Sequence, residues 1–191
     1  RKLAMEKVIG QYVAFLDTDD IWFPKKLDKQ VIIMKNSNFT LCYGGIEEIY
    51  EDGSHHRNLI PKAKEGKILN QLLYNIDVHL PTIMIRKSDL DKSKLTFDES
   101  IFASEEHCLI MQLAVNHNLI AIPVVFSKYR LHNNSLSNRT MKLWAKEREY
   151  TLRLILKNDP TLIDAYSKGF REAFARAKYY RSRYYVESGK K

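Results

Sequence analysis

Tyr12-Val13-Ala14-Phe15-Leu16-Asp17-Thr18-Asp19-Asp20 sets a short apolar run directly against a cluster of carboxylates. Continuous apolar residues over this length predict a strand buried in the centre of a sheet. Asp at i and i+2 with a third Asp adjacent crowds like charges, which is costly unless a cation sits among them. Hard oxygen donors suit Mg²⁺ or Mn²⁺, ions that take one or two carboxylates and complete their shell with substrate phosphates. Open α/β sheets bind ligands at the carboxyl ends of their strands. The plainer alternative is a solvated acidic loop in which Asp20 caps the next helix.

Outward from this stretch, the N-terminal residues 2–9 read as a helix end stopped by Gly10. Pro24 suits the first turn of a helix running to Met34, with Leu27, Val31 and Met34 on one face. Residues 39–43 read as a second buried strand, and 46–50 with the segment after Asp52-Gly53 as a hairpin. A helix over 67–75, a strand over 82–86 and a short helix capped by Ser88 follow. Ser104 opens a longer helix ending near Asn116. Residues 119–125 form a strand that continues irregularly to His132. From Asn138 the pattern is entirely helical, broken at Asn158-Asp159-Pro160 and resumed to Val186. Strands alternating with helices predict an α/β sheet with a helical extension packed on it.

Composition narrows the class. The chain has 191 residues, 45% hydrophobic and 28% charged, which suits a globular protein. No apolar run approaches the length of a membrane-spanning helix, and the charged start does not resemble a signal peptide. Cys42 and Cys108 sit in apolar runs without metal spacing and are expected as buried free thiols, so the cytoplasm is the expected location. The net charge of +8 lies wholly in residues 138–191, while residues 1–137 are neutral. Such asymmetry points to an anionic partner for the tail.

Residues 10–27, from Gly10-Gln11-Tyr12 through Asp17-Thr18-Asp19-Asp20-Ile21-Trp22-Phe23-Pro24 to Lys26-Leu27, resemble glycosyltransferases of family 2, which have the GT-A fold. Their pattern reads G-x-y-i-a-F-L-D-x-D-D-x-w-x-p-x-K-L. The resemblance implies that Asp17-Thr18-Asp19 is the D-x-D motif. Asp19 then binds Mn²⁺ or Mg²⁺, Asp17 faces the nucleotide ribose or the metal's water shell, and Asp20 stands near the donor. Leu80-Pro81-Thr82-Ile83-Met84-Ile85-Arg86-Lys87 is similar to the family's acceptor-side strand, which assigns Pro81 and Thr82, with Trp22, to the acceptor.

Ser104-Glu105-Glu106-His107 falls where the family has a Glu-Asp pair opening a helix, the second acid being the general base. Glu106 stands in the place of that Asp and Glu105 beside it, so Glu106 is assigned as base and Glu105 as its substitute. Read without the resemblance, both are acids favoured by a helix N-terminus. Tyr129-Arg130-Leu131-His132-Asn133-Asn134-Ser135-Leu136-Ser137 resembles the family's Y-R-x-H-x-x-S-x-S segment, which assigns Arg130 and His132 to the diphosphate or the metal. His55 and His56 read as surface residues.

The resemblance covers residues 1–137 and begins partway into the family's pattern, with Arg1-Lys2-Leu3 like the tail of an Ala-Arg-Asn stretch. A fragment is therefore expected, without the part that cradles base and ribose. It would bind nucleotide-sugar weakly and transfer little by itself. The expected architecture is a partial GT-A-like, Rossmann-like mixed sheet over 1–137 and an all-helical basic extension over 138–191. The implied reaction moves a sugar from a nucleotide-sugar donor to a hydroxyl acceptor, a glycan or lipid-linked, with inversion, in bacterial surface glycan synthesis. Two alternatives stand beside it: a haloacid-dehalogenase-like phosphatase, which also uses a strand ending in Asp-x-Asp, and a degenerate binding module without catalysis.

In the tail, Phe170, Phe174, Ala177, Tyr180 and Tyr184 follow three- and four-residue steps among cations. This stripe reads as a helix packed on the domain, or as a surface helix docked on anionic lipid at the inner face of the plasma membrane. Basic and aromatic residues also suit nucleic acid, but no base-reading module is recognisable, and nucleic acid is not assigned as a partner.

Overall fold

A computed structural model describes residues 1–132 and 136–187, with the side chains at 136–139, 141 and 187 left aside. Residues 133–135 of the Tyr129–Ser137 segment thus lie outside the described residues. The elements are α1 (Lys2–Glu6), β1 (Tyr12–Ala14), β2 (Ile21–Trp22), α2 (Lys26–Lys35), β3 (Leu41–Ile49), β4 (His55–Leu59), β5 (Lys64–Gly66) and α3 (Leu69–Tyr74). A 3₁₀ turn (Leu80–Thr82), β6 (Met84–Arg86), α4 (Lys87–Ser93), α5 (Glu105–Asn116), β7 (Leu119–Arg130), α6 (Leu136–Asn158), α7 (Leu162–Ala165) and α8 (Ser167–Glu187) complete them.

The strands form one mixed sheet in the order β1-β6-β3-β7-β2, with β4 on β3 and β5 on β7. Only β3 and β7 run parallel; the other pairs are antiparallel. The α/β class and the helical C-terminal extension are as expected. The place of the Tyr12–Leu16 run is not. Among the described residues β1 pairs with β6 alone, at one end of the sheet, and only Val13 in it is buried. Phe15 and Leu16 have already left the strand: Phe15 meets Phe97 edge-on at 5.5 Å, and Leu16 is exposed. An apolar run marks a buried segment without saying which neighbours bury it.

The expected break at Gly44-Gly45 is absent, and β3 runs unbroken through both; β7 runs from Leu119 through Pro123 to Arg130. The glycines serve close approach: a Cβ at Gly44 would stand 2.6 Å from the Val124 carbonyl oxygen, and one at Gly45 2.7 Å from that of Leu59. The β3–β7 register shifts there, opposite the proline that has no N–H to give. Ser88 does not cap α4, whose N-cap is Arg86.

A smaller apolar cluster of Met34, Cys42 and Met84 packs α2 on the sheet, and the larger core joins the sheet to the other helices. Val13, Leu41, Tyr43 and Ile85 of the sheet join Leu72 and Leu73 of α3, Leu109 and Leu113 of α5, Leu152 and Ile155 of α6, and Phe170 of α8. α8 lies close on α3 at Gly169, where a Cβ would meet Asn70 Oδ1 at 2.8 Å. Arg176 donates to the Leu73 carbonyl at 3.2 Å and to that of Tyr74, satisfying the C-terminal end of α3. Phe170 and Ala177 are buried and Phe174 packs on the core, so most of the apolar stripe faces inward. Tyr179, Tyr185 and Val186 remain exposed. Cys42 and Cys108 are buried free thiols. No described helix is long and apolar enough to cross a membrane.

Candidate active site

The carboxylates after β1 are spread by a tight turn, in which the Asp20 N–H donates to the Asp17 carbonyl at 3.2 Å. Each side chain then meets a different cation or donor. Asp17 accepts from the Arg1 guanidinium at 2.9 and 3.1 Å. Asp19 Oδ2 lies 2.9 Å from His132 Nε2. Asp20 turns inward, and its Oδ1 accepts the Arg130 backbone N–H at 3.1 Å. Asp20 Oδ2 is buried and has no hydrogen-bond partner among the described residues. Burial pushes this carboxyl up to about 6, against the Arg130 hydrogen bond, and the neighbouring Asp19 and Asp17 add to the rise.

Arg130 is held by backbone oxygens. It donates to the carbonyls of Asp19 at 3.2 Å, Tyr50 at 3.3 Å and Glu51 at 2.9 Å, fastening the β3–β4 turn to the acidic turn.

Glu105 and Glu106 open α5. The loop before them is fixed from the helical extension: the buried Glu147 carboxylate of α6 accepts the N–H groups of Phe102 and Ala103, each at 2.9 Å. Arg1 Nη1 donates to Glu105 Oε1 at 2.5 Å and lies 3.8 Å from Glu106 Oε2. One guanidinium thus joins the first Asp of the acidic turn to both acids of α5. The Glu106 side chain keeps 32% of its surface accessible but sits in a recess. Loss of hydration there raises its pKa; its own backbone N–H, Arg1 and Arg148 oppose the rise, and Glu105 adds to it.

A cavity of about 930 Å³ opens beside these groups. Glu48, Arg57, Glu106, His132, Trp144 and Arg148 are among its lining residues, as is Arg130. The fold therefore brings Glu106, Arg130 and His132 to one hollow, with Asp19 bonded to His132 and Asp17 and Glu105 reaching Glu106 through Arg1.

Trp22, Pro81 and Thr82, expected at the acceptor, are not among the lining residues of this cavity. Trp22 Nε1 donates to the carbonyls of Pro81 at 2.9 Å and Phe15 at 3.2 Å, and Lys26 Nζ sits 4.3 Å from its ring centroid. Ser127 Oγ donates to Pro81 at 2.6 Å. Thr82 is fully buried and its hydroxyl donates to the His79 carbonyl at 2.7 Å. Their polar groups are consumed in bracing β2, β7 and the 3₁₀ turn against one another. Sequence reading also passed over Arg1, Trp144, Glu147 and Arg148. Arg1 carried a signal, standing just before Lys2 in the Ala-Arg-Asn-like tail. The α6 residues carried none, because nothing local says which face of a long helix meets the site.

The donor set can be tested against a divalent ion. Asp19 and His132 present a carboxylate oxygen and an imidazole nitrogen 2.9 Å apart. No cluster of three or more His, Cys, Asp or Glu suited to a metal occurs among the described residues. Such a pair fits Mg²⁺ or Mn²⁺ taking its remaining ligands from substrate phosphates, and does not fit an ion caged by protein alone.

The mixed sheet, the acidic turn after β1 and the cavity faced by a helix-opening acid can be set beside known proteins. Residues 1–93 match the model of glycosyl transferase family 2. Those matched residues carry the acidic turn and the strands β1 to β6, and the fold is the GT-A fold. An uncharacterized glycosyltransferase of Rickettsia conorii is 25% identical over 170 residues, 89% of this chain and 27% of its own length. The UDP-Glc:alpha-D-GlcNAc-diphosphoundecaprenol beta-1,3-glucosyltransferase WfgD of Escherichia coli is 30% identical over 146 residues, 74% of this chain and 54% of its own. The crystal structure of S. aureus TarS 1-349 in complex with UDP-GlcNAc superposes with a TM-score of 0.60 at 16% identity, covering 81% of this chain and 45% of that one. The chain thus spans between about a quarter and about half the length of these relatives.

Proposed function

We propose that this chain serves metal-dependent, inverting transfer of a sugar from a nucleoside diphosphate-sugar to a hydroxyl of a glycan or lipid-linked acceptor, in assembly of a bacterial surface glycan. The observation that carries this reading is the shared cavity: Glu106 lines it together with His132, which is bonded to Asp19. The names of WfgD and of the TarS complex supply the donor and acceptor classes for those proteins, and the family supports carrying the classes over. The family, its relatives and its structural neighbours give the phosphatase alternative no support.

In this reading Glu106 accepts the proton of the acceptor hydroxyl, with Glu105 beside it on Arg1. The acceptor oxygen bonds to the anomeric carbon as the carbon–oxygen bond to the diphosphate breaks, and the diphosphate leaves with the electron pair. One displacement from the opposite face inverts the centre. A carboxylate in a partly dehydrated recess is a stronger base than one in water. Asp19 and His132 would hold the divalent ion, whose chemistry is to neutralise the departing diphosphate. Asp17 serves the ribose or the ion's water shell, Asp20 positions the turn, and Arg130 holds the wall. The exposed cations Arg171, Lys178 and Arg181, with Tyr179 and Tyr185, give α8 a face for an anionic membrane surface.

A transfer assay with Mn²⁺ tests the proposal. Glu106→Gln should lower kcat by about a hundredfold or more. The native rate should fall with acidity through a pKa above the ordinary glutamate range, because the raised Glu106 must be deprotonated to act. A product with retained anomeric configuration, or full activity in Glu106→Gln, would overturn it.

A further inference from the structure

The α6 wall of the cavity carries a guanidinium that the transfer chemistry above does not use. Trp144 and Arg148 stand four residues apart on α6, hence on one helix face. Both line the cavity that holds Glu106. Arg148 Nε is buried without a hydrogen-bond partner, and no carboxylate of the described residues lies within ion-pair distance of this side chain. Its described neighbour is the ring of Tyr180, 4.8 Å away, which Trp144 in turn meets edge-on at 5.8 Å. Elsewhere in the hollow, Arg57 is already paired with Glu48 at 2.5 Å and Arg130 with backbone carbonyls.

A partly enclosed guanidinium with an unmet donor is unfavourable by itself. The pair with Tyr180 holds its plane but satisfies none of its N–H groups. A planar fork of this kind matches a phosphate through two parallel hydrogen bonds. The indole beside it offers a flat apolar surface for the face of a sugar ring. The position also separates this wall from the donor: Asp17 reaches Glu106 from the Arg1 side, whereas Arg148 approaches from α6.

From this arrangement we infer that Trp144 and Arg148 form an acceptor subsite for a sugar phosphate, the indole packing on the ring and the guanidinium pairing the phosphate, next to the base. The word acceptor rests on the transfer reading above; the sugar-phosphate site itself does not. The phosphate could be carried by a soluble sugar phosphate or by a lipid-linked sugar diphosphate.

Calorimetry on the full chain in EDTA tests the subsite without metal, donor or turnover, so its outcome is separate from that of the transfer assay. The probes are glucose, glucose 1-phosphate, inorganic phosphate and glucose linked to farnesyl diphosphate. Native protein should bind glucose 1-phosphate about tenfold or more tighter than glucose, the difference expected of a charge-assisted pair. Arg148→Gln should erase that preference and Arg148→Lys retain part of it, with glucose binding unchanged. Ligand-induced change in tryptophan fluorescence should vanish in Trp144→Phe, although Trp22 remains. With the preference for glucose 1-phosphate over glucose in place, tighter binding of the farnesyl probe than of glucose 1-phosphate assigns the lipid-linked source, and equal binding of both phosphorylated sugars assigns the soluble one. Equal affinity of native protein for glucose and glucose 1-phosphate would overturn the inference, with no variant needed. A preference that survives in folded Arg148→Gln would do so as well.

Discussion

His132 Nε2 stands 2.9 Å from Asp19 Oδ2, although 113 residues of chain separate them. The end of β7 delivers the imidazole to the turn after β1. Two side chains of this chemistry make a metal-binding pair only when a substrate supplies further oxygens. The contact therefore makes a prediction that a mere ion pair would not.

With Mn²⁺ and pyrophosphate, His132→Ala should weaken metal retention about tenfold, and Asp19→Ala should abolish it, as read by the signal of free Mn²⁺ in electron paramagnetic resonance. Unchanged Mn²⁺ binding in both variants would leave the contact as an ion pair and remove the metal from the proposed reaction.

Glu147 connects the helical extension to the base. Replacing it with Ala removes the carboxylate that accepts the part-buried N–H groups of Phe102 and Ala103, a loss of about 1.5–3 kcal/mol for hydrogen bonds to a charged group. Amide hydrogen exchange at Phe102 and Ala103 should accelerate, and the melting temperature should fall. Glu147→Gln, which keeps one acceptor, should lie between. If exchange at these amides is the same in Glu147→Ala, the carboxylate does not hold the loop.

Lys26 is buried, its ammonium over Trp22 and 3.5 Å from the Ile83 carbonyl. Burial pushes its pKa down to about 8, with a small opposing effect from Cys42. The unfolded chain binds this proton more tightly than the folded one between pH 8 and the ordinary lysine range. The contribution to stability is therefore present at alkaline pH and lost as pH falls through about 8. Lys26→Met removes this dependence while sacrificing the cation–ring contact, worth about 0.5–2 kcal/mol. Melting curves of the two proteins should converge toward high pH or cross, the variant being favoured at neutral pH. Parallel curves from pH 7 to 10 would count against a depressed lysine.

Gly44 is a packing position. Its missing Cβ would press on Val124 O and the Phe126 ring. Gly44→Ala should cost about 1–3 kcal/mol, the usual range for overpacking, and lower the melting temperature without altering secondary structure content. A melting temperature equal to that of the native protein would show that β3 and β7 can separate locally.

Much of the site was legible because its groups lie close together in the chain. Asp17, Asp19 and Asp20 announce an acidic turn, and Glu105-Glu106 announce acids at a helix start. Chain order does not say which polar atoms are taken up by partners from elsewhere. Pro81 and Thr82 sit in a segment of the right kind, yet their polar atoms are taken up by Trp22, Ser127, Gln30 and His79. Gly44-Gly45 looked like a break between elements, since local propensity cannot see that two strands approach there.

The order of apolar runs, turns and carboxylates along the chain was enough to specify a mixed α/β protein with an acidic turn after its first strand. Those features depend on residues within a few positions of one another, where backbone geometry translates spacing directly into direction. The pairing of Asp19 with His132, of Asp17 with Arg1, and of the Phe102 and Ala103 amides with Glu147 was decided only when the sheet and α6 closed on a common core. These contacts are set by where whole elements pack, and packing is a property of the complete set of buried faces rather than of any one segment.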